Sequence, residues 1–239
     1  MNITLNNKWA VVTGGTRGIG HAIAHALNQA GADVIVTGTK LTSSLSFDHQ
    51  YYAVDFSSEQ STQKFATYIS EQQPDILINN AGINIINSFA EVKLDDFNSI
   101  YQVNVVAPFL LCRAVISGMR AKNWGRIVNV SSILGKVGKA GRASYSASKF
   151  AIDGMTAALA AEVAPYGILA NCVAPGFIET DLTKQILGEK NMADIVKQIP
   201  AGRLGQPKDI ANFVLWLVSL ENTYISGQNI AIDGGFTRV

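Results

Sequence analysis

The sequence has 239 residues, of which 48% are hydrophobic and 15% are charged, and its formal net charge is +1. This length suits a single α/β domain with one sizeable core. A net charge so close to zero provides no general attraction to nucleic acid or to anionic membranes, so we expect neither as a partner.

Short apolar runs alternate with longer helical patterns along the chain, which is typical of a parallel sheet covered by helices. The predicted strands are 9–13, 34–37, 52–54, 76–78, 126–130, 168–173 and 229–232. The predicted helices are 19–30, one beginning after Glu59, two within 94–121 that are interrupted near Asn104 and Pro108, and 145–164. The sequence therefore predicts an α/β fold of the Rossmann type, a doubly wound, seven-stranded parallel sheet with helices on both faces.

The stretch from Ile178 to Pro207 does not fit this alternation, because it mixes charges with Gly188 and Pro200. Segments of this length within a compact domain are often active-site lids. We expect residues 1–239 to form one domain with a substrate lid at about 178–207. The alternative for this stretch is a pair of surface helices that cover the sheet.

The two cysteines, Cys112 and Cys172, lie in apolar runs without metal-ligand or disulfide spacing. Both are predicted to be buried thiols, and no metal site is expected. Met1 to Lys8 lacks the features of a signal peptide, and no uncharged apolar run reaches the roughly 18 residues needed to cross a bilayer. The expected location is therefore the cytoplasm, and no association with a membrane is expected.

A glycine-rich segment, Thr13–Gly20, joins the first predicted strand to the first predicted helix. Its glycines permit a tight turn and close approach of a pyrophosphate, and the helix N-terminus adds free N–H groups and a positive dipole. The spacing Gly14-x-x-x-Gly18-x-Gly20 differs from the G-x-G-x-x-G dinucleotide fingerprint. Its place between strand and helix nevertheless predicts a nucleotide site.

The second predicted strand ends in Val36-Thr37-Gly38-Thr39-Lys40, without the carboxylate that binds the ribose 2′-hydroxyl of NAD. Arg17 in the glycine loop and Lys40 after the strand offer the cationic donors that a 2′-phosphate requires. The pattern favours NADP (NADPH) over NAD as cofactor. The alternative is that both side chains are solvated loop charges.

Tyr145 and Lys149 stand four residues apart at the start of the long helix, which places them on one helix face. A neighbouring ammonium favours the phenolate, so we expect it to lower the pKa of Tyr145 and fit it for proton transfer. Ser132 ends the fifth strand and Asn79–Gly82 follows the fourth, at the sheet edge where ligands bind. We predict that Tyr145 is a catalytic acid and that Ser132 polarises a carbonyl.

These motifs, with Pro175-Gly176, resemble those of single-domain short-chain dehydrogenases/reductases over essentially the whole chain. The resemblance implies a tetrad in which Tyr145 gives a proton while a nicotinamide gives hydride. Lys149 would hold the nicotinamide ribose, Ser132 would orient the carbonyl, and Asn104 would connect Lys149 to solvent through water.

The resemblance also implies a set of cofactor-binding positions spread along the chain. Asp55 would meet the adenine amino group, Asn80 to Gly82 would line the cofactor, and Ile178 and Thr180 would contact the nicotinamide amide. The cofactor-binding set is Gly14, Thr16, Arg17, Gly18, Ile19, Gly20, Thr39, Lys40, Asp55, Phe56, Asn80, Ala81, Gly82, Tyr145, Lys149, Pro175, Gly176, Ile178 and Thr180.

Within that family the runs 173–181 and 199–205 resemble 3-oxoacyl-(acyl carrier protein) reductases of fatty acid biosynthesis. This implies NADPH-dependent reduction of 3-oxoacyl thioesters. Asn123 and Tyr166 stand where those reductases tend to carry basic residues that meet the carrier protein, although Arg120 and Lys122 are close by. A carrier-protein partner therefore stays open, and the resemblance implies a homotetramer.

Two other functions remain open from the sequence. One is a sugar, polyol or specialised-metabolite dehydrogenase with the same chemistry, and the other is a non-catalytic dinucleotide-binding sensor. The complete tetrad argues against the sensor.

The loop from Gly135 to Arg142 carries Lys136, Lys139 and Arg142, which either meet an anionic substrate or are solvated.

Overall fold

Seven strands form one sheet in the order β3-β2-β1-β4-β5-β6-β7, and every neighbouring pair is parallel. The structure is a computed structural model, in which residues 3–42, 45–180, 183 and 192–239 are described. The strands are β1 (Trp9–Val12), β2 (Asp33–Gly38), β3 (Gln50–Ala53), β4 (Ile76–Asn79), β5 (Gly125–Val130), β6 (Ile168–Pro175) and β7 (Asn229–Ile232). The predicted seven-stranded parallel sheet is confirmed.

Six helices longer than one or two turns lie within the described ranges. They are α1 (Gly18–Gln29), α2 (Glu59–Gln72), α3 (Leu94–Tyr101), α4 (Ala107–Lys122), α5 (Ala143–Val163) and α6 (Pro207–Leu217). Helices α1 and α6 pack on one face of the sheet, and α2, α4 and α5 pack on the other.

The core consists of two apolar layers separated by the sheet. Ala10 and Val12 of β1 belong to the layer under α1 and α6, whereas Val11 between them belongs to the layer under α2, α4 and α5. Successive side chains of a strand point to opposite faces, so a strand covered on both sides must be apolar throughout. This explains the short, uninterrupted apolar runs of the sequence. Cys112 and Cys172 are free and buried, as predicted.

The two helices predicted within 94–121 are α3 and α4, but the interruption expected near Asn104 and Pro108 is not a break, because the chain stays helical from Leu94 to Lys122. A π-helical turn, Gln102–Val106, joins α3 to α4, and Pro108 lies in the first turn of α4. The wider turn accommodates a proline that has no N–H to donate. By length and composition this helix is apolar enough to cross a membrane, but half of its most apolar window is buried, as in a core helix.

The predicted lid falls partly on residues 181–182 and 184–191, which lie outside the described residues. The two ends of the segment are joined: Ile178 pairs with Gly205 in a parallel bridge, and the Glu179 N–H donates to the Gly205 carbonyl at 2.7 Å. Ile195 and Ile199 are buried. The lid itself stays a prediction.

Candidate active site

A cavity of about 880 Å³ runs along the carboxyl-terminal edge of the sheet. It lies where the strand order reverses between β1 and β4, which is the usual ligand crevice of an open parallel sheet. All nineteen positions predicted to bind a cofactor line this cavity, and Ser132 lines it too. We call the part around Arg17, Lys40 and Asp55 the β2 end, and the part around Ser132 and Tyr145 the β5 end.

Several cavity residues carry no sequence motif, and only their position after a strand or before a helix could have suggested them. These are Gly38, Thr42, Leu45, Tyr51, Ser57, Ile83, Asn84, Val103, Val130, Ser131, Ile133, Leu134, Phe177 and Thr183. Arg142 also lines the cavity, although the sequence assigned it only to a charged loop.

The glycine loop has the shape of a cradle for a phosphate. Gly14 and Gly18 have φ angles of +61° and +56°, which side chains rarely adopt. A Cβ on Gly20 would overlap the Gly14 carbonyl oxygen and the Asn80 amide. Helix α1 begins at Gly18 with no acidic residue in its first turn. The free N–H groups and dipole of such a helix end suit a diphosphate, so the loop fits a dinucleotide.

Asn80 and Thr13 hold this loop against the end of β4. The Asn80 side-chain amide donates to the carbonyl oxygens of Thr13 and Gly14 at 2.9 and 3.0 Å. The Thr13 hydroxyl accepts from the backbone N–H groups of Asn80 and Ala81 at 2.9 and 3.0 Å. The Asn80 side chain therefore also fixes the glycine loop in place, a role that the sequence analysis did not predict.

At the β2 end the charged side chains are exposed to solvent. Arg17 and Lys40 line the cavity there, and the Tyr51 hydroxyl donates to the Lys40 carbonyl oxygen at 2.6 Å. Asp55 accepts hydrogen bonds from the Ser57 hydroxyl and N–H, which lower the pKa of its carboxyl and keep it ionised. Two cations where NAD enzymes place a carboxylate suit the 2′-phosphate of NADP.

At the β5 end three polar side chains meet. Ser132 follows β5 and hydrogen-bonds to Tyr145, and its hydroxyl also accepts from the Leu134 N–H at 3.1 Å. Lys149 lies one turn after Tyr145 on α5, with its Nζ 5.5 Å from the centre of the Tyr145 ring. The same Nζ donates to the Val130 carbonyl oxygen at 2.7 Å. The structure thus brings together the Ser132, Tyr145 and Lys149 of the predicted tetrad.

Burial governs the protonation of these groups. It raises the pKa of Tyr145, while the hydrogen bond from Ser132 and the charge of Arg142 lower it by less. Burial also lowers the pKa of Lys149 to about 8. The expectation that Lys149 gives Tyr145 a lowered pKa is therefore not met in this structure. The cause is that desolvation of the phenolate outweighs the hydrogen bond from Ser132 and the attraction of Arg142.

Asn104 lies buried in the π-helical turn and does not line the cavity. Its side chain accepts from the Ile83 N–H at 2.9 Å and donates to the Ile83 carbonyl and the Ser148 hydroxyl, each at 3.0 Å. A Cβ on Gly82 would lie 3.3 Å from Asn104 Oδ1 and 3.7 Å from Lys149 Nζ. Gly82 therefore keeps a methyl-sized space between the two polar groups, and the water link stays a prediction.

The charged loop before α5 divides into residues inside and outside the cavity. Arg142 lines the cavity, and its Nη1 is buried without a hydrogen-bond partner. Lys139 is exposed and its Nζ lies 5.1 Å from the centre of the Phe177 ring. Lys136 is exposed and does not line the cavity. Of the three cations in this loop, only Arg142 is therefore placed to meet an anionic substrate inside the cavity.

Known proteins match this chain along nearly its whole length. A family model described as enoyl-(acyl carrier protein) reductase matches residues 14–237. The chain is 40% identical to the 3-oxoacyl-(acyl-carrier-protein) reductase FabG of Vibrio cholerae, over 99% of this chain and 100% of the relative. It is also 40% identical to the FabG of Aquifex aeolicus, over 98% of this chain and 99% of the relative.

Solved structures share the whole fold. A gluconate 5-dehydrogenase from Burkholderia cenocepacia, in complex with NADP and tartrate, is 29% identical with a TM-score of 0.91, and the match covers 99% of this chain and 97% of the other. A short chain dehydrogenase/reductase family protein is 30% identical with a TM-score of 0.91, covering 98% and 100% of the two chains.

Proposed function

Because this chain belongs to the short-chain dehydrogenase/reductase family, whose members act on CH–OH and C=O groups, we propose that it is an NADPH-dependent ketoreductase. Its leading substrates in this proposal are 3-oxoacyl thioesters. The observation that carries the proposal is the meeting of Ser132, Tyr145 and Lys149 in one cavity with the glycine loop.

In the proposed reaction NADPH, when bound, supplies the hydride. The Ser132 hydroxyl donates to the substrate carbonyl oxygen and holds it beside the Tyr145 hydroxyl. Tyr145 gives its proton to that oxygen, which becomes the hydroxyl of the product alcohol. The Tyr145 phenol is already protonated at neutral pH with its ordinary pKa of about 10, as a general acid must be, and burial raises that pKa further. The Lys149 ammonium, 5.5 Å from the ring, stabilises the phenolate that remains.

Asn104 acts as a positioning residue in this proposal. It anchors the backbone of Ile83 and faces, across the space beside Gly82, the ammonium of Lys149. That polar gap suits a water through which a proton returns to the site.

The preference for NADPH is supported by Arg17 and Lys40 at the β2 end, and by the NADP in the similar gluconate 5-dehydrogenase. Residues 36–40 contain no carboxylate to repel a 2′-phosphate. Asp55 offers an ionised acceptor for an adenine amino group.

The 3-oxoacyl thioester is favoured as substrate by the 40% identity to the FabG reductases over the full chain. The likeness to a gluconate 5-dehydrogenase favours the second candidate, a sugar or polyol dehydrogenase with the same machinery. A non-catalytic sensor would have no need for Ser132 hydrogen-bonded to Tyr145.

The proposal includes an acyl carrier protein as bearer of the thioester. The cations near the expected docking positions already have internal partners. Arg120 stacks on Tyr166 at 4.5 Å and pairs with Glu162, and Lys122 pairs with Asp75 at 2.9 Å. Docking would therefore compete with these contacts and be weakened by salt.

We also propose a cytoplasmic homotetramer. Phe109 on α4 and Phe150 on α5 are 48% and 49% exposed, which supports packing of these two helices against other copies.

The test is consumption of NADPH with an acetoacetyl thioester by the wild type and by Tyr145→Phe, which removes only the hydroxyl. We expect wild-type turnover to fall by about 10²–10⁴-fold in the variant, the usual worth of a general acid. Tyr224→Phe is the matched control, because Tyr224 is 97% exposed and does not line the cavity. Undiminished turnover in Tyr145→Phe would contradict the mechanism. Oxidation of sugars or polyols by the wild type with NADP⁺, without reduction of the thioester, would favour the second candidate.

A further inference from the structure

Arg142 is a cation of the β5 end for which the proposed mechanism has no use. It precedes Tyr145 by three residues, about one turn of α5, and lines the same cavity. Its charge acts on the Tyr145 phenol, and burial lowers its own pKa. The guanidinium is therefore partly shielded from water and near enough to Tyr145 for its charge to act on the phenol.

The guanidinium also lacks the partner that such a position requires. Its Nη1 is buried without a hydrogen bond, and no ion pair between described residues includes Arg142. A buried unpaired charge or donor is costly, and a ligand that pairs with it recovers that cost. Arginine forks match carboxylates in particular.

A structural task does not explain the side chain. Arg142 is the N-cap residue of α5, but its side chain makes no capping bond, and the helix bond to the Ser146 N–H comes from its backbone carbonyl. Replacing the side chain therefore leaves the start of α5 intact.

Asn84 adds a second unused polar group to the same cavity. Its Oδ1 is buried without a hydrogen-bond donor. The loop that carries Arg142 contacts the segment after Asn84, since a Cβ on Gly141 would lie 3.4 Å from Ile86 Cγ2. Asn84 is thus a further polar residue of the cavity lining whose amide oxygen has no internal donor.

We propose that Arg142 is a substrate-binding residue that pairs with a carboxylate near the reacting carbonyl, so that the protein takes free oxo acids and hydroxy acids as substrates. Because Arg142 and Tyr145 lie about one helical turn apart and line the same cavity, an anion on the same short carbon skeleton as the carbonyl can meet both. The phosphate of a pantetheine thioester lies far from its carbonyl. The inference rests on the proposed reductase function of the site and adds a substrate class to it.

The test compares two substrates with the same carbon skeleton, acetoacetate and its neutral methyl ester, at saturating NADPH. In Arg142→Gln we expect the KM for acetoacetate to rise about 10- to 100-fold, as for loss of a charged hydrogen bond, and the KM for the ester to change by less than about threefold. Arg142→Lys should restore part of the loss. An equal change in KM for acetoacetate and for the methyl ester in Arg142→Gln would overturn the proposal.

Lys139→Gln is the matched control, because it removes a cation from the same loop that is exposed and does not line the cavity. We expect it to leave both KM values unchanged to within about twofold, since exposed charges contribute little. A rise in the KM for acetoacetate as large as that in Arg142→Gln would show that the total charge of the loop, not Arg142 in particular, attracts the carboxylate. That result would overturn the proposal.

Calorimetry of acetoacetate binding to the NADP⁺-loaded protein separates this inference from the proposed function. If the wild type reduces neither substrate, the reductase proposal with these substrates fails, and binding still decides the role of Arg142. A loss of affinity of about tenfold or more in Arg142→Gln supports that role. Equal affinity in the two proteins, or no binding by the wild type, overturns it.

Discussion

At the β2 end of the cavity the cations Arg17 and Lys40 are exposed to solvent, whereas at the β5 end Lys149 is buried and Arg142 has one enclosed nitrogen. Solvated charges act weakly on their neighbours, because water and salt screen the attraction. Buried charges have shifted pKa values and act strongly on close neighbours. In the proposed function, the exposed charges of this cavity select the cofactor and the buried charges take part in the chemistry.

The largest expected effect is that of Lys149→Met, which removes the buried ammonium. We expect kcat to fall by about 10²–10⁴-fold, because the phenolate of Tyr145 loses its cation. The folded pKa of about 8 lies below the ordinary 10.5, so the unfolded chain binds more protons between these values, and wild-type stability rises with pH across that window.

The variant is therefore expected to be more stable than the wild type at pH 7, with the difference shrinking as pH rises from about 8 to 10.5. Denaturant unfolding at several pH values measures this, and comparison with the wild type cancels the titration of other groups. A variant that is less stable by the same amount at every pH would break the claim that Lys149 carries a desolvation cost.

A smaller effect is expected from Gly82→Ala, which places a methyl group between Asn104 Oδ1 and Lys149 Nζ. The added methyl would be in ordinary contact with Lys149 Nζ at 3.7 Å, whereas the tight 3.3 Å approach requires Asn104 Oδ1 to move by a few tenths of an ångström. We expect kcat to fall by about tenfold through loss of the proton path, which is less than the roughly 10²–10⁴-fold worth of a group that itself transfers the proton.

Gly154→Ala is the control for this substitution, because nothing lies within 4 Å of its added Cβ on α5. It should stabilise the helix by about 0.5–1 kcal/mol and leave kcat unchanged. If Gly82→Ala also leaves kcat unchanged, the space beside Lys149 has no part in turnover.

The smallest expected effect on chemistry is that of Arg17→Ala combined with Lys40→Ala at the β2 end. We expect the KM for NADPH to rise by about tenfold, the KM for NADH to change by less than about twofold, and kcat to stay constant. Steady-state kinetics with both cofactors measures this, with the exposed Lys64→Ala on α2 as control. An equal rise in the KM for NADPH and in the KM for NADH would contradict selection of NADP by these two cations.

The sequence predicted the sheet well because each central strand is buried on both faces. Val11 and its neighbours Ala10 and Val12 are all fully enclosed, which leaves an apolar run that is easily recognised. The predicted cavity positions also met, since the carboxyl ends of parallel strands share one edge.

Features that depend on the third dimension were missed. The π-helical turn at Gln102–Val106 replaced a predicted break because a helix can absorb a proline by widening one turn. The direction of the Tyr145 pKa shift depends on how much protein surrounds the phenol, which spacing along a helix does not reveal. The unpartnered nitrogen of Arg142 likewise emerges only when its neighbours are placed.

The most direct test of the comparison between the two ends is a salt series on the wild-type enzyme with NADPH and NADH. Screening shortens from about 30 Å at 0.01 M salt to about 3 Å at 1 M, so exposed pairs weaken and buried ones do not. We predict that the KM for NADPH rises several-fold, that the KM for NADH changes much less, and that kcat is constant. A kcat that falls together with the KM for NADPH, or equal rises for the two cofactors, would contradict the account.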